Sequence, residues 1–279
     1  MSYFTLNDGK QLPVIGLGTV HIQGATGLES ILTALDAGYR LIDTSTNYHN
    51  EGMVGAAIRR TPISRHKILV TSKLPGLAHQ YDMAIKLIQE SLYRTGLDYF
   101  DIYLIHWPLP KRDLYVEAWQ ALIDAQKFGL IRSIGVSNFT REHLNRIIAE
   151  TGVTPSINQI ERHPYFNNLE IVRANNELGI LTQAWSPFGR DKLNVLEDPV
   201  IKELAMKYDK EPSQIVIRWN LQQNVQPIVK AASAKHQLAN LDVLDFELQV
   251  SDMEKINALD RGEAGRIAGQ DPDEYEEFE

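Results

Sequence analysis

The segment RLIDTSTNY, residues 40–48, is the starting point for interpreting this chain. Its first five residues form a short run rich in strand-forming side chains, which includes the carboxylate of Asp43, and Tyr48 follows shortly after. An ionisable group at the end of an otherwise apolar strand is unfavourable to bury unless it pairs with another charge. The segment therefore predicts a strand whose carboxyl end belongs to a functional site.

Eight runs of this kind recur along the chain of 279 residues. The steps between one reference residue at each strand end are 22 to 33 residues, and the last step is 45. Such steps fit one strand, one helix and two loops. Eight units predict a closed (β/α)8 barrel, because a doubly wound sheet usually has fewer strands. The runs are VIGLGT (14–19), RLIDT (40–44), ILVTSK (68–73), DIYLIHW (101–107), RSIGVSNF (132–139), SINQIE (156–161), ILTQAW (180–185) and QPIVKA (226–231).

Further elements are expected around this barrel, within a single domain that spans residues 1–279. Residues 4–12 predict two short strands around an Asp-Gly turn, a hairpin suited to plug the bottom of the barrel. The long last step leaves room for an extra helix around residues 195–208. Capping boxes are predicted at Thr26 and at Ser251, each followed three residues later by a glutamate.

The polar strand ends predict chemistry at the barrel mouth, where the reacting groups of this fold lie. Asp43 and Lys73 end adjacent strands, so a carboxylate and an ammonium can meet there. The ammonium is expected to stabilise a phenolate at Tyr48 and to lower a tyrosine pKa that is ordinarily about 10. His106, at the end of the next strand, can hydrogen-bond a substrate oxygen beside that phenol. These four residues predict delivery of a proton to a carbonyl oxygen.

Each of these residues also has an ordinary structural explanation. A single aspartate after a strand commonly caps a helix, a lysine is commonly a solvated end, and a histidine is commonly a satisfied core or rim residue. The functional interpretation depends on their convergence around one axis. The other strand ends are also polar or aromatic, at Ser137, Asn138, Gln159, Trp185, Ser186 and Lys230.

Competing chemistries have weaker support. The eight histidines are scattered with no pair at metal-ligand spacing, so no metal site is predicted. Glycoside hydrolysis needs two facing carboxylates, yet Glu161 is the only carboxylate on a late strand, and Asp43 already has a cationic partner. His21 stands where a third glycine of a dinucleotide fingerprint would follow Gly16 and Gly18.

Composition narrows the setting. The absence of cysteine excludes disulfide frameworks and thiol catalysis, and it favours a cytoplasmic location. The formal net charge is −8, but six of the 36 acidic residues lie in 271–279, which leaves −2 for the rest. We expect this acidic tail to be a solvated end, and the chain after Gly262 to contribute to the substrate wall. A nearly neutral body without basic clusters or an apolar span predicts no nucleic-acid or membrane partner. We also expect a monomer.

Several long motifs resemble those of the aldo-keto reductase family over nearly the whole chain. Within the family the chain is similar to the bacterial branch that includes the 2,5-diketo-gluconate reductases, because of Trp185 and the GRIAGQDPDE segment (265–274). The resemblance implies a barrel enzyme that reduces aldehydes and activated ketones to alcohols with a nicotinamide cofactor. The motifs are LNDGKQLPVIGLGT (6–19), GYRLIDTSTNYHNE (38–51), TSKL (71–74), DIYLIHWP (101–108), IGVSNF (134–139), NQIERHP (158–164), WSPFG (185–189) and NLDVLDF (240–246).

The resemblance also implies a role for each strand end. Tyr48 is the general acid, Lys73 and Asp43 tune it, and His106 orients the carbonyl; we call these four residues the catalytic tetrad. Three residues are expected to line the substrate pocket, namely Val20, His49 and Trp107. The cofactor is expected to contact Thr19, Ser137, Asn138, Gln159, Trp185, Ser186, Pro187, Phe188, Lys230, Ala231, Ser233, His236 and Asn240.

Two positions depart from the pattern of NADPH-selective relatives. That pattern has a Lys-Ser pair after the eighth strand and an arginine six residues beyond the lysine, whereas this chain has Lys230, Ala231 and His236. Arginine supplies a permanent charge and bidentate donors that a histidine lacks at neutral pH. We therefore expect NADPH to be used and NADH to be accepted as well. The alternative, a non-catalytic nucleotide-binding regulatory subunit on the same fold, has no physical need for the complete tetrad.

Overall fold

Eight parallel strands close into a barrel in the computed structural model, which describes residues 2–190 and 193–277. Around the barrel the strands follow the order β10, β3, β4, β5, β6, β7, β8, β9, and each predicted run overlaps one of them, which confirms the (β/α)8 prediction. The described strands are β1 Tyr3–Thr5, β2 Gln11–Pro13, β3 Gly16–Gly18, β4 Leu41–Asp43, β5 Leu69–Leu74, β6 Phe100–Ile105, β7 Ile131–Ser137, β8 Ile157–Glu161, β9 Leu181–Trp185 and β10 Val225–Val229.

Helices connect successive barrel strands and cover the outside of the barrel. The predicted extra helix is present as α7, after a 3₁₀ turn at Val195–Glu197. The described helices are α1 Gly24–Ala37, α2 Glu51–Arg60, α3 Tyr81–Thr95, α4 Tyr115–Lys127, α5 Arg141–Thr151, α6 Leu169–Glu177, α7 Pro199–Tyr208, α8 Pro212–Leu221, α9 Ala234–Leu241 and α10 Val250–Asn257.

A glycine marks the end of a helix in this chain, whereas the two predicted capping boxes do not mark helix starts. Gly96 ends α3 with φ of 66°, a left-handed conformation that glycine adopts without strain. The boxes predicted at Thr26 and Ser251 are wrong. Both residues lie inside their helices, because the first turns are hydrogen-bonded further upstream, from Gly27 N to Gln23 O and from Met253 N to Gln249 O.

The N-terminal hairpin closes the bottom of the barrel as predicted. Strands β1 and β2 pair antiparallel, and the side chains of Leu6 and Leu12 are buried. Asn7 Nδ2 donates to Pro155 O at 2.9 Å, which ties the hairpin to the loop before β8. The two leucines share one apolar cluster with side chains of the barrel interior, namely Leu41, Ile102, Leu104, Ile157 and Ile228.

A chain of buried amides crosses the barrel above this apolar floor. Gln159 Nε2 donates to Gln183 Oε1 at 2.9 Å, and Gln183 Nε2 donates to Gln226 Oε1 at 2.6 Å. Gln226 in turn donates to the carbonyl of Pro13 in the hairpin. Buried polar groups need such partners, because an unpaired amide in an apolar interior is strongly destabilising. The chain therefore joins the floor of the barrel to its mouth.

The C-terminal segment folds over the mouth, and the prediction of a solvated acidic end holds for Asp273, Glu274 and Glu276 but is wrong for Glu277. Tyr275 stacks on Trp107 with ring centroids 4.1 Å apart, and the Glu277 side chain is buried. Upstream, Ile267 N donates to Glu161 Oε1 at 2.7 Å. At Glu277, hydrogen-bonding contacts thus outweigh the solvation of the carboxylate. Residues 278 and 279 of the predicted tail lie outside the described residues.

Candidate active site at the barrel mouth

A buried ion pair forms the base of the site. Lys73 Nζ lies 2.6 Å from Asp43 Oδ1, and it also donates to Thr44 O at 2.9 Å and to Tyr48 OH at 3.4 Å. Lys73 is fully buried and Asp43 is 3% exposed. The second carboxylate oxygen, Asp43 Oδ2, accepts from Gln159 Nε2 at 2.8 Å. The structure therefore brings Asp43, Lys73 and Tyr48 together as the sequence predicted.

Tyr48 is held by the short loop that follows β4. Thr46–Tyr48 forms a 3₁₀ turn, which Ser45 caps by accepting from Asn47 N at 3.4 Å. Thr46 Oγ1 donates to the carbonyl of Lys73 at 3.2 Å, so the turn is anchored to the end of β5. These contacts place the phenol over the ammonium, 5.0 Å from the ring centroid to Lys73 Nζ.

The pKa of Tyr48 is shifted in the direction opposite to the predicted one. Burial raises the pKa of Tyr48 above its ordinary value, and the Lys73 ammonium opposes this rise without cancelling it. The predicted net lowering of the Tyr48 pKa is therefore wrong, because desolvation of the phenolate outweighs the cation. For Lys73, burial lowers the pKa but Asp43 and Tyr48 raise it by more, so the net pKa is raised and the lysine is charged. At neutral pH the site holds a protonated phenol above an ammonium.

His106 completes the tetrad at the end of β6. Its ring faces Tyr48 edge-on, with centroids 6.1 Å apart. Its carbonyl accepts from Asn138 Nδ2 at 3.0 Å, and its Nδ1 is in contact with Oε1 of Glu277 from the C-terminal segment. The ring is thus fixed between the barrel and the tail.

Aromatic side chains form the wall opposite the tetrad. Trp185 Nε1 donates to Asn138 Oδ1 at 2.7 Å, and the Trp185 ring lies 6.5 Å from that of Trp107. The guanidinium of Arg190 lies 4.9 Å from the centroid of the Trp185 ring, and its Nε donates to Ser186 Oγ at 2.7 Å. The wall therefore presents a flat indole with a cation beside it.

Three adjoining cavities extend from this wall along the strand ends. The catalytic cavity, about 240 Å³, is lined by Tyr48, His106, Trp107 and the tail. The β9–β10 cavity, about 370 Å³, shares Tyr48 and Trp185 with it and runs to Lys230. The α9 cavity, about 300 Å³, continues from Lys230 to His236 and Asn240. A separate cavity of about 520 Å³ lies beside the tail, and none of the tetrad lines it.

Most of the predicted site residues fall in these cavities. Val20, Trp107, Ser137, Asn138 and Gln159 line the catalytic cavity. Thr19, Trp185, Ser186, Pro187, Phe188 and Lys230 line the β9–β10 cavity. Three others lie elsewhere: His49 is exposed beside Tyr48, Ala231 is buried behind the strand end, and Ser233 caps α9 by accepting from His236 N at 3.3 Å.

Six residues that line the catalytic cavity were not singled out as site residues from the sequence. Arg190 lies just beyond the WSPFG motif, and its basic charge in a glycine-containing loop is the one signal that could have drawn attention to it. The C-terminal contacts carried no residue-level signal, because they depend on the path of a segment distant in sequence from the barrel loops. The other five are His21, Asn47, Gln270, Tyr275 and Glu277.

The fold and the tetrad define a barrel oxidoreductase, and comparison with known proteins identifies its family. A sequence profile of the Aldo/keto reductase family matches residues 14–261, and the chain belongs to that family. Membership confirms the predicted class, an NAD(P)H-dependent oxidoreductase that reduces carbonyl groups. The relatives compared below give no support to the non-catalytic alternative.

Two relatives from this family are similar to the chain over nearly its full length. The chain is 43% identical to 2,5-diketo-D-gluconic acid reductase B from a Corynebacterium strain over 274 residues, which cover 98% of each protein. It is 42% identical to methylglyoxal reductase DkgA from Escherichia coli over 270 residues, 97% of this chain and 96% of that protein. These similarities confirm the predicted branch of the family.

Solved structures show the same architecture. An aldo/keto reductase from Brucella melitensis superimposes with a TM-score of 0.89 at 41% identity, covering 93% of this chain and 99% of that one. A Gox0644 variant crystallised in complex with NADPH has a TM-score of 0.91 at 37% identity, covering 97% of each chain.

The described residues contain neither a candidate membrane-spanning helix nor a candidate metal-binding cluster. No helix within 2–190 and 193–277 is long and apolar enough to cross a membrane. In the same residues no group of three or more histidine, cysteine, aspartate or glutamate side chains is placed to hold a metal ion.

Proposed function

We propose that this protein reduces aldehydes and activated ketones to alcohols, with Tyr48 as the proton donor. The observation that carries the proposal is the contact of Lys73 Nζ with both Asp43 Oδ1, at 2.6 Å, and Tyr48 OH, at 3.4 Å. A cation fixed beneath a phenol stabilises the phenolate that remains after proton transfer. A purely structural role would not require this pair to be buried under a tyrosine at an open cleft.

The chemistry divides between the cofactor and the protein. When bound, a nicotinamide cofactor supplies the hydride that adds to the carbonyl carbon. Tyr48 gives its proton to the carbonyl oxygen as negative charge develops there. Lys73 stabilises the phenolate, and Asp43 keeps the buried ammonium paired. His106 donates a hydrogen bond to the same oxygen and orients the carbonyl.

The donor set of the three cavities suits a nicotinamide nucleotide in an extended conformation. The indole of Trp185 offers a flat apolar face to the nicotinamide ring, and Gln159 and Ser137 offer polar groups to its carboxamide. Asn138 lies beside them, with its amide bonded to the Trp185 indole and to the carbonyl of His106. Ser186, Pro187, Phe188 and Arg190 follow along the pyrophosphate path, and Arg190 adds the charge that a diphosphate requires.

The α9 cavity favours relaxed cofactor selectivity, in which NADPH is used and NADH is accepted. Ala231 has no hydroxyl, and the imidazole of His236 lacks the bidentate fork of donors that an arginine would give. Lys235, which could compensate, lies 3.8 Å from Glu211. Glu197 and Glu211 both line the α9 cavity and add negative charge near the expected 2′-phosphate.

The substrate is proposed to be a small activated carbonyl compound. Two of the relatives are named for diketo-gluconic acid and methylglyoxal, both of which carry a carbonyl activated by a neighbouring oxygen function. Trp107 and Val20 form the apolar part of the wall, and Tyr275 covers it from the tail. We further propose a single domain that acts as a monomer in the cytoplasm, without a nucleic-acid or membrane partner.

A carbonyl panel tests this function directly. Loss of the absorbance of reduced cofactor would be measured with methylglyoxal, an aromatic aldehyde, a diketo acid and a plain ketone, each with NADPH and with NADH. We expect turnover of activated carbonyls with both cofactors, faster with NADPH. Cofactor binding without turnover of any carbonyl in the panel would instead support a non-catalytic nucleotide-binding subunit.

A further inference from the structure

Three buried glutamines lie at one level of the barrel wall. Gln159 of β8 is in register with Gln183 of β9, which is in register with Gln226 of β10, and all three residues are 2% exposed or less. Gln159 Nε2 donates to Asp43 Oδ2 at 2.8 Å and to Gln183 Oε1 at 2.9 Å. Both N–H groups of Gln159 are therefore engaged, and its carbonyl oxygen is the group left for a ligand.

Acceptors at both ends fix the direction of this chain of amides. The Asp43 carboxylate at one end can only accept, and so can the carbonyl of Pro13, to which Gln226 donates at the other end. Turning any one amide over would set two donors or two acceptors against each other, so each amide holds its neighbour in one orientation. Because Gln183 engages the second N–H of Gln159, the Gln159 amide cannot rotate without breaking a hydrogen bond.

The neighbouring polar side chains at the barrel mouth have also used their donors. Ser137 Oγ donates to Gln159 O at 2.8 Å. Asn138 Nδ2 donates to His106 O at 3.0 Å and to Ser137 Oγ at 3.1 Å. These bonds leave oxygen lone pairs as the free hydrogen-bonding capacity of Ser137, Asn138 and Gln159, all of which line the catalytic cavity. These three residues, which we call the acceptor subsite, therefore suit a ligand group that donates hydrogen bonds.

We propose that Gln183 is a positioning residue that holds Gln159 with its carbonyl oxygen free, so that the acceptor subsite binds the amino group of the nicotinamide carboxamide. The inference rests on the proposed function, in which this part of the cleft receives the carboxamide. A primary amide carries two N–H donors and an acceptor oxygen, and lone pairs placed against that oxygen would repel it. Gln183 acts through Gln159, because it is fully buried and lines neither the catalytic cavity nor the β9–β10 cavity.

Binding of oxidised cofactor analogues to the full-length protein tests the proposal without turnover. NADP⁺ carries a carboxamide, its thionicotinamide analogue keeps the amino group beside a sulfur, and its acetylpyridine analogue has a methyl group in place of the amino group. Isothermal titration calorimetry would give the three dissociation constants. We expect wild-type protein to bind the thionicotinamide analogue within about threefold of NADP⁺, and the acetylpyridine analogue about ten times more weakly, the effect of one lost hydrogen bond.

Matched variants separate positioning from a structural effect. Gln183→Met removes the amide at similar volume, and the ratio of the dissociation constants for the acetylpyridine analogue and NADP⁺ should fall from about ten towards one. Gln183→Glu keeps an oxygen that accepts from Gln159 and should keep the wild-type ratio. Asn175→Leu removes a buried amide of α6 that bonds Asn158 and Thr182, and it should keep the ratio even if thermal stability falls.

A double variant locates the origin of the effect. Gln159→Met should bring the ratio close to one by itself, and adding Gln183→Met should change it by less than about twofold, since the two residues act as a unit. Wild-type protein that binds the acetylpyridine analogue as tightly as NADP⁺, or that discriminates against the thionicotinamide analogue instead, overturns the acceptor subsite. A wild-type ratio in Gln183→Met overturns the positioning role of Gln183. Failure of the proposed function is distinguishable, because it would appear as absence of carbonyl turnover in a protein that still discriminates among the analogues.

Discussion

The two ends of the cleft hold their charges in different ways. At the catalytic end, the ammonium of Lys73 is fully buried and meets a carboxylate, a main-chain carbonyl and a phenol. In the α9 cavity, Lys230 and His236 are exposed, and Lys235 is drawn towards Glu211. Buried paired charges are held in a fixed geometry and are weakly screened, whereas exposed charges are screened by salt. The rate of carbonyl reduction should therefore depend steeply on a few residues. The preference between NADPH and NADH should depend more weakly on several residues.

Lys73→Met, at the catalytic end, is expected to have the largest effect on stability and on kcat. The substitution leaves the Asp43 carboxylate buried without its cation, which should reduce the free energy of unfolding by about 3–5 kcal/mol. Loss of the ammonium also raises the pKa of Tyr48 further, because Lys73 is the main influence that lowers it. A weaker acid should lower kcat for carbonyl reduction by at least about a hundredfold.

The pH dependence of the reverse reaction tests the direction of the change in the Tyr48 pKa. In alcohol oxidation the Tyr48 phenolate accepts the proton, so the pH at which the rate rises should move upward in Lys73→Met. Lys127→Met serves as a control, because the Lys127 side chain pairs with Asp124 at the exposed end of α4, and its loss should cost less than about 1 kcal/mol. An unchanged pH profile in Lys73→Met would make Lys73 a bystander.

The residues of the catalytic end could be predicted from the sequence because each lies at the end of a predicted strand or shortly after it. Asp43, Lys73 and His106 end strands in consecutive barrel units, so the fold alone brings them to one mouth. Tyr48 follows Asp43 by five residues, a distance that one short turn can span. The direction of its pKa shift could not be predicted in this way. That direction depends on how much burial outweighs one cation, and the degree of burial is a property of the folded cleft.

A smaller effect, on cofactor affinity, is expected at Trp185. An indole stacked on the nicotinamide should lose its fluorescence when the nucleotide binds, and Trp185→Ala should weaken binding of NADPH about tenfold through lost stacking and apolar contact. Fluorescence titration of each variant measures both quantities. Trp219→Phe, outside the cleft, should keep the quenching. If Trp185→Phe is quenched as fully as wild type, another tryptophan reports the cofactor.

A further effect concerns the choice between the two cofactors. His236→Arg should raise the ratio of kcat/KM for NADPH to that for NADH by roughly ten- to a hundredfold, the value of one charge-assisted hydrogen bond to the 2′-phosphate. The shift should shrink at high salt because the charges involved are exposed. His66→Arg adds the same charge at an exposed position away from the cleft and should leave the ratio unchanged.

Two outcomes would contradict this account of the α9 cavity. One is a wild-type preference for NADPH above about a thousandfold, well beyond the effect expected from one missing contact. The other is a His236→Arg ratio that does not move. Either result would show that Arg190, Lys230 or another group already supplies the phosphate contact.

The C-terminal segment shows where prediction from sequence stopped. Composition correctly marks 271–279 as acidic, and for an isolated chain end such a run is typically solvated. Its actual path is set by contacts that no local pattern reveals, such as Tyr275 stacking on Trp107 and Glu277 accepting from Gly76 N. The helix starts at Thr26 and Ser251 were misplaced for a related reason, since upstream main-chain hydrogen bonds extended both helices past the capping motif.

The central claim, that Tyr48 gives the proton, is tested most directly by measuring kcat and the NADPH dissociation constant of Tyr48→Phe. The account predicts that kcat falls by about 10²–10⁴ while the dissociation constant stays nearly unchanged, because the hydroxyl acts in the transition state and contributes little to holding the nucleotide. Tyr115→Phe, which removes a hydroxyl near Arg146 outside the mouth, should retain wild-type values. A Tyr48→Phe enzyme with more than about a tenth of the wild-type kcat, against an expected loss of at least ~10², would contradict the claim.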